Sequence, residues 1–411
     1  MQSSAVSTKP KKRRHLYEVD FMRIFFIFGV LLNHTTTAFA NRMTDATGWA
    51  HMTLVSTHLM LHFTRMGFMF MTGLVLTLSY YNRNDWPTFF KKRLAGSGWP
   101  YLLWNFFPVT CNDDFFSDSH LANLSVFSQT YWDAIIHGDR FYLYYILITL
   151  QLYLLFPFIV KLFKALPKKH NWILGISFTI QLVLMFIIKY GLPHVDRSNW
   201  LWWFSNYGVN VFTYQFYFIF GTYAMLHYDD VTGWIQGHIK LIAPVTILLG
   251  LGTIPYYLSY NESFLGLDGG AAVSPHQPYM LVYDTMMIIL VFWIGKAYAY
   301  WREHGIWPWL ETFIKNGAII SFGIYLDQTL GLNVLSRFLT IVHAPDWVFF
   351  IALPVGYLFV IGFSFAVAWF CYKVPPFGIF IGRPQWHILK KNRVAAQQRA
   401  EKRRLQKAEN G

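Results

Sequence analysis

Two residues near the start of the chain are of a type and spacing that could do chemistry together. Arg23 and His34 bound the stretch RIFFIFGVLLNH, with ten uncharged residues between them. A helix turns about 100° and rises about 1.5 Å per residue. His34 therefore lies about 20° past three full turns from Arg23 and roughly 16 Å along the axis, on the same face. A neutral imidazole can take a proton from an incoming hydroxyl, or accept an acyl group itself. An arginine on that face can clamp an anionic, phosphate-bearing donor. The pair suits group transfer, with Arg23 at the cytoplasmic interface and His34 in the middle to outer half of a bilayer. The plainer alternative makes Arg23 a snorkelling topology anchor and His34 a hydrogen-bonding group between helices.

The elements that must hold this pair are membrane helices. The chain is 55% hydrophobic, 20% aromatic and 13% charged, about half the charge of a soluble domain. Apolar runs of membrane-spanning length recur near 20–40, 58–81, 97–116, 140–163, 172–190, 207–228, 239–260, 278–300, 317–341 and 346–373. The expected fold is thus an all-α integral membrane protein of about ten transmembrane helices. The third run is the weakest, being interrupted by Pro100 and Pro108. A basic segment 1–19 precedes the transmembrane domain 20–373, and a basic tail 374–411 follows it. The first run could pass for a signal peptide, with Ala38 and Ala40 as an A-x-A site, but it is long enough to span and keeps polar groups inside.

Charge placement sets the orientation. KPKKRR, the segment with Arg83, Lys91, Lys92 and Arg93, and the segment with Lys161, Lys164, Lys168 and Lys169 alternate with loops 117–139, 259–277 and 342–345, which hold no lysine or arginine. The positive-inside rule then puts both termini in the cytoplasm. The net charge of +13 is concentrated in the termini and alternate loops, so it predicts contact with membrane lipids and no nucleic-acid partner. Cys111 and Cys371 form no disulfide or metal framework.

Several stretches together resemble the membrane acyltransferase 3 family. YEVDFMRIFFIFGVLLNH is similar to its opening Arg-x10-His helix, and HFTRMGFMFMTGLVLTLSYY to its second span. FFKKRLAGSGWPYLLW, FYLYYILITLQLYLLFPF and SFGIYLDQTL resemble later family segments in the same order. HFTR, QLYLLFP and TYQFYFIFG look closest to the branch associated with poly-N-acetylglucosamine and other Gram-positive surface glycans. The resemblance implies acyl transfer from cytoplasmic acyl-CoA, usually acetyl-CoA, to a hydroxyl of a cell-surface or lipid-linked glycan. No bound cofactor or metal is implied. His34 would be the catalytic histidine, Arg23 and Arg93 donor-site residues, and Tyr153 the tyrosine before Pro157. The chain departs from the family at Gly96, where a second arginine is common, at Tyr142 and at Asp327, where histidines are. Those departures leave the reaction class standing but not donor or acceptor roles at these positions.

Other polar residues extend the site. His58, His62 and Arg65 fall at i, i+4 and i+7, on one helix face, as a polar lining around His34 or an interfacial cluster. Asp327, buried by hydropathy, would pair with Arg65, orient His34, or pair elsewhere for structure. Asp284 carries the same choice, and Gly67 and Gly73 read as close-packing sites. The expected function is a membrane O-acyltransferase in a Gram-positive plasma membrane, acting alone or with a glycan synthase or partner transferase. The rival is a polysaccharide exporter or flippase, against which the chain shows no pair of related halves.

Overall fold

The computed structural model describes residues 15–111, 124–138, 140, 142–267 and 269–385, together with 394 and 398. The KPKKRR run, most of the tail beyond 385 and the loop residues Asp118, Asp139 and Asp268 lie outside them. Among the described residues there are helices and no strands. The principal helices are α1 (Tyr17–Ala40), α2 (Trp49–Met60), α3 (Phe63–Tyr80), α4 (Trp86–Cys111), α5 (Leu124–His137) and α6 (Tyr144–Ala165). They continue with α7 (His170–Phe186), α8 (Gln215–Leu226), α9 (Tyr228–Pro255), α10 (Pro278–His304), α11 (Pro308–Ile341) and α12 (Asp346–Lys373). A helix satisfies all its backbone polar groups within one segment, which is what a bilayer demands of an apolar chain.

Among the described residues, eight helices or helix pairs are long and apolar enough to cross a membrane: α1, α2 with α3, α6, α7, α9, α10, α11 and α12. Two of the expected runs fall short. In α4, Lys91, Lys92 and Arg93 and the following glycine, serine and proline residues dilute the hydropathy. Of the run expected at 207–228, only the twelve residues Gln215–Leu226 are regular α-helix. The second run differs in another way. Its helix begins at Trp49 instead of 58 and is broken between Met60 and Phe63. Apolar side chains such as Phe158, Leu248 and Val355 are exposed on the outside of the bundle, the surface that lipid would cover.

The helix that carries Arg23 and His34 is central. α1 packs against α2, α3, α10, α11 and α12, so polar groups on it can face protein. Glu18 and Asp20 stand in its first turn, where carboxylates favour the positive end of the helix dipole. Glu18 is buried and accepts a hydrogen bond from Tyr228, whose hydroxyl also accepts from Lys296 Nζ at 3.0 Å.

Close helix contacts lock the middle of the bundle. A Cβ at Gly73 would lie 2.1 Å from the Phe218 carbonyl oxygen, and one at Gly221 would lie 1.9 Å from that of Phe70. The backbones of α3 and α8 therefore touch, the arrangement small residues permit where lipid supplies no hydrophobic drive between helices. At Gly67 the same test meets the Phe26 ring at 2.3 Å, which fixes α3 on α1. Gly67 and Gly73 are thus packing sites. Phe26, Phe70, Phe218 and Phe292, each almost wholly buried, fill the core around them.

Candidate active site

Arg23 projects from the first half of α1 into a cavity of about 400 Å³ walled by α1, α3, α4, α6 and α11. Its floor is the 3₁₀ turn Phe377–Ile381 with Gly382 and Arg383, where the chain folds back after α12. Arg23, Lys92, Arg93 and Arg383 line this space, and among the described residues no carboxylate does. Arg23 and Arg93 are half-buried; Lys92 and Arg383 are exposed. The cavity thus grades from a wet cationic rim to a drier cationic interior. Asp20, one turn before Arg23, is engaged by His15 Nε2 at 2.6 Å.

Packing fixes the inner guanidinium groups. Arg93 lies over the Tyr80 ring, 4.9 Å from its centroid, and 6.0 Å from that of Tyr153. Its Nε is buried without a hydrogen-bond partner, a donor group poised for something the cavity would hold. Tyr153 forms part of the same wall, with its hydroxyl 3.5 Å from Ser97 Oγ. Arg383 donates from Nη2 to the Ile319 carbonyl at 3.1 Å, and its backbone N–H donates to Gly378 at 2.7 Å. Gly382 makes that turn possible. Its φ is 67°, and a Cβ there would lie 2.0 Å from the Gly96 carbonyl oxygen, so both the left-handed backbone and the close approach require glycine.

His34 lines a second, smaller cavity of about 30 Å³, together with Asn33, His62, Arg65, Tyr142 and Tyr144. The two cavities share Phe68, Tyr145 and Tyr325, so a wall of three rings divides them. The His34 imidazole stacks on the Tyr142 ring with centroids 3.6 Å apart. Tyr325 donates from its hydroxyl to the Tyr142 carbonyl, tying α11 to the chain entering α6. Arg65 sits 5.4 Å from the centroid of Tyr144.

The break between α2 and α3 positions the rest. Asn33 Nδ2 donates to the His58 carbonyl at 2.8 Å, which also accepts from the Leu61 N–H at 3.1 Å. From there a chain of polar groups runs beside the pocket. Thr37 Oγ1 is 3.0 Å from His58 Nδ1, His58 Nε2 is 3.3 Å from His62 Nε2, and His62 Nδ1 is 3.3 Å from the Tyr257 hydroxyl. Tyr257 donates to the Ser274 carbonyl at 3.2 Å. His62 and Arg65 line the pocket with His34, and His58 stands behind His62; His58 lies near the end of α2, His62 in the break and Arg65 in the first turn of α3.

Asp327 is the residue the structure places elsewhere. It is fully buried, lines neither cavity, and makes no ion pair with Arg65 among the described residues. Two residues correspond to about 200° around a helix, so with Tyr325 facing the cavities, Asp327 points toward α12, beside Ser364. Pairing Arg65 or orienting His34 is therefore not its role. Asp284 likewise lies apart from both cavities, accepting from the Tyr217 hydroxyl at 3.3 Å. Sequence reasoning did not single out Lys92, Arg383, Phe68, Tyr145 or Tyr325 as site residues. Basic residues such as the first two also orient a membrane chain, and rings are common in any membrane span.

No curated protein and no solved structure matches the chain. The acyltransferase 3 family, described as an acyltransferase domain, matches residues 16–373, which takes in both cavities apart from the Gly382–Arg383 floor and its 3₁₀ turn. The chain belongs to the acyltransferase 3 family of membrane acyltransferases.

Proposed function

We propose that the protein is an O-acetyltransferase that moves an acetyl group from cytoplasmic acetyl-CoA to a hydroxyl of an extracytoplasmic or lipid-linked glycan. One observation carries this reading: a cationic cavity and a histidine pocket lie on one face of α1, divided only by three rings. The phosphates of CoA suit a cavity lined by four cations and no carboxylate. Arg23 and Arg93 would hold them from inside, and Lys92 and Arg383 from the rim. The thioester end would then pass between the rings toward His34. Both termini are cytoplasmic in this reading, and α4 and α8 complete ten crossings.

The chemistry balances without a further reactant. The acceptor O–H proton passes to His34, the acyl C–O bond forms as the C–S bond breaks, and the thiolate leaves with that proton. An acyl-histidine intermediate gives the same sum in two steps. Arg65, in the pocket with His34, stands where it can stabilise the oxyanion of the tetrahedral intermediate. The glycan acceptor follows from the likeness of HFTR, QLYLLFP and TYQFYFIFG to the surface-glycan branch. That likeness also favours a Gram-positive plasma membrane, where a glycan synthase or partner transferase could share the acceptor. A wall of rings between two cavities fits a reaction centre better than a polysaccharide conduit.

Membranes carrying wild type, His34→Ala or Arg23→Ala, given radiolabelled acetyl-CoA and a surface-glycan extract, test the reading. Base-labile label should enter the glycan with wild type alone. Equal labelling by His34→Ala would remove the mechanism, and CoA-independent glycan export would establish the transporter instead.

A further inference from the structure

The contrast in size between the two cavities points to a property that neither the family match nor the motifs carry. We propose that Val30, Phe68 and Tyr325 gauge the acyl chain, and that only an acetyl-sized group reaches His34. The inference rests on the acyl-CoA reading above and adds the residues that set donor selectivity.

Volume decides first. The His34 pocket holds about 30 Å³, against about 400 Å³ for the cationic cavity beside it. One water-sized probe occupies about 10–15 Å³ on this measure, so the pocket has room for two or three heavy atoms. That is a carbonyl and a methyl. A butyryl chain adds two methylenes, more than that volume holds.

The walls are held from several sides. Tyr325 is tied through its hydroxyl to the Tyr142 carbonyl, and Tyr142 in turn stacks on His34. Phe68 packs edge-on to Tyr145 at 5.7 Å between centroids and stands 5.7 Å from Phe26. Tyr145 and Tyr325 are 5.3 Å apart. Val30, one turn before His34 on α1, is buried and closes the other side. A close-packed interior yields little to an inserted methylene. Phe68 is the most informative of these residues, because its ring belongs to both cavities and cutting it back would join them.

The test compares acyl-CoA donors within one membrane preparation. Acetyl-, propionyl- and butyryl-CoA, each labelled in the acyl group, are supplied separately to wild type, Phe68→Ala and Val30→Ala with the same glycan extract. The readout is the ratio of kcat/KM for butyryl to that for acetyl, which does not depend on how much protein folded. Each added methylene should cost wild type about 10–200-fold. Phe68→Ala should raise the butyryl-to-acetyl ratio at least about tenfold, the lower end of one methylene's worth, and Val30→Ala should raise it less. If Phe68→Ala does not fold, Val30→Ala carries the test alone. Wild type that uses butyryl-CoA as well as acetyl-CoA overturns the gauge, as does an unchanged ratio in every variant that still transfers acetyl. Label from no acyl-CoA at all overturns the donor reading itself and this inference with it.

Discussion

The two cavities along α1 differ in size and in lining. The larger one is roomy and lined by cations from α1, α4 and the chain after α12, two of them exposed. The one at His34 is more than ten times smaller and lined chiefly by rings and by side chains of the broken α2–α3 pair. A wide, charged, partly wet space can grip a polyanion in several ways and tolerate small errors in position. A small, closely lined space cannot, and a bond-making step gains most from fixed geometry. In the proposed reading affinity and reactivity are therefore separable, and substitutions should sort into two classes according to the cavity they touch.

The largest effect belongs to the small cavity. His34→Ala should lower kcat by about 10²–10⁴-fold, the usual worth of a positioned proton-transfer group, while leaving acyl-CoA binding within about twofold of wild type. Transfer assays with labelled acetyl-CoA and equilibrium binding of CoA to detergent-solubilised protein measure the two separately. A variant that loses binding and turnover together would mean that the two spaces act as one site.

The inner cations of the large cavity come next. Arg23→Ala should raise the KM for acyl-CoA by about 10–150-fold, the range for a hydrogen bond to a charged group, with a much smaller change in kcat. Arg23→Lys should recover only part of the loss, because a point charge cannot reproduce the paired donors of a guanidinium. Arg93→Ala should resemble Arg23→Ala, since its Nε has no hydrogen-bond partner among the described residues. A kcat loss as large as that of His34→Ala would place Arg23 in the chemistry instead of in donor binding.

This division explains how much was legible beforehand. Arg23 and His34 were legible because both lie on one unbroken helix, where the helical period fixes their relation whatever surrounds them. His58, His62 and Arg65 were legible as a group for the same reason of spacing. The break between them was not, since the stretch LVSTHLMLHFTRMG contains no proline and no glycine before Gly67. Its partner, Asn33, comes from another helix. Hydropathy revealed that Asp327 is buried but not which way it points, and one residue's shift around a helix reassigns its neighbours. Phe68, Tyr145 and Tyr325 are composed like any other membrane aromatics, so only tertiary packing distinguishes a dividing wall from a lipid-facing belt.

The smallest effect sharpens the comparison most, because it concerns residues whose composition said only that they were basic. Lys92 and Arg383 are exposed, and exposed ion pairs contribute only about 0.2–1 kcal/mol. Arg383→Ala should therefore raise the donor KM by no more than about fivefold, the same range converted at room temperature, and leave kcat unchanged. Gly382→Ala should do the same or somewhat more without removing a charge, since its Cβ would displace the turn that aims Arg383 across the cavity from Gly96. Added salt separates rim from interior. Screening weakens exposed charges far more than half-buried ones, so the salt dependence of KM should flatten in Arg383→Ala and persist in Arg23→Ala. Titrating KM against ionic strength in the three proteins measures this, and equal slopes in all of them would show that the cavity has no graded rim.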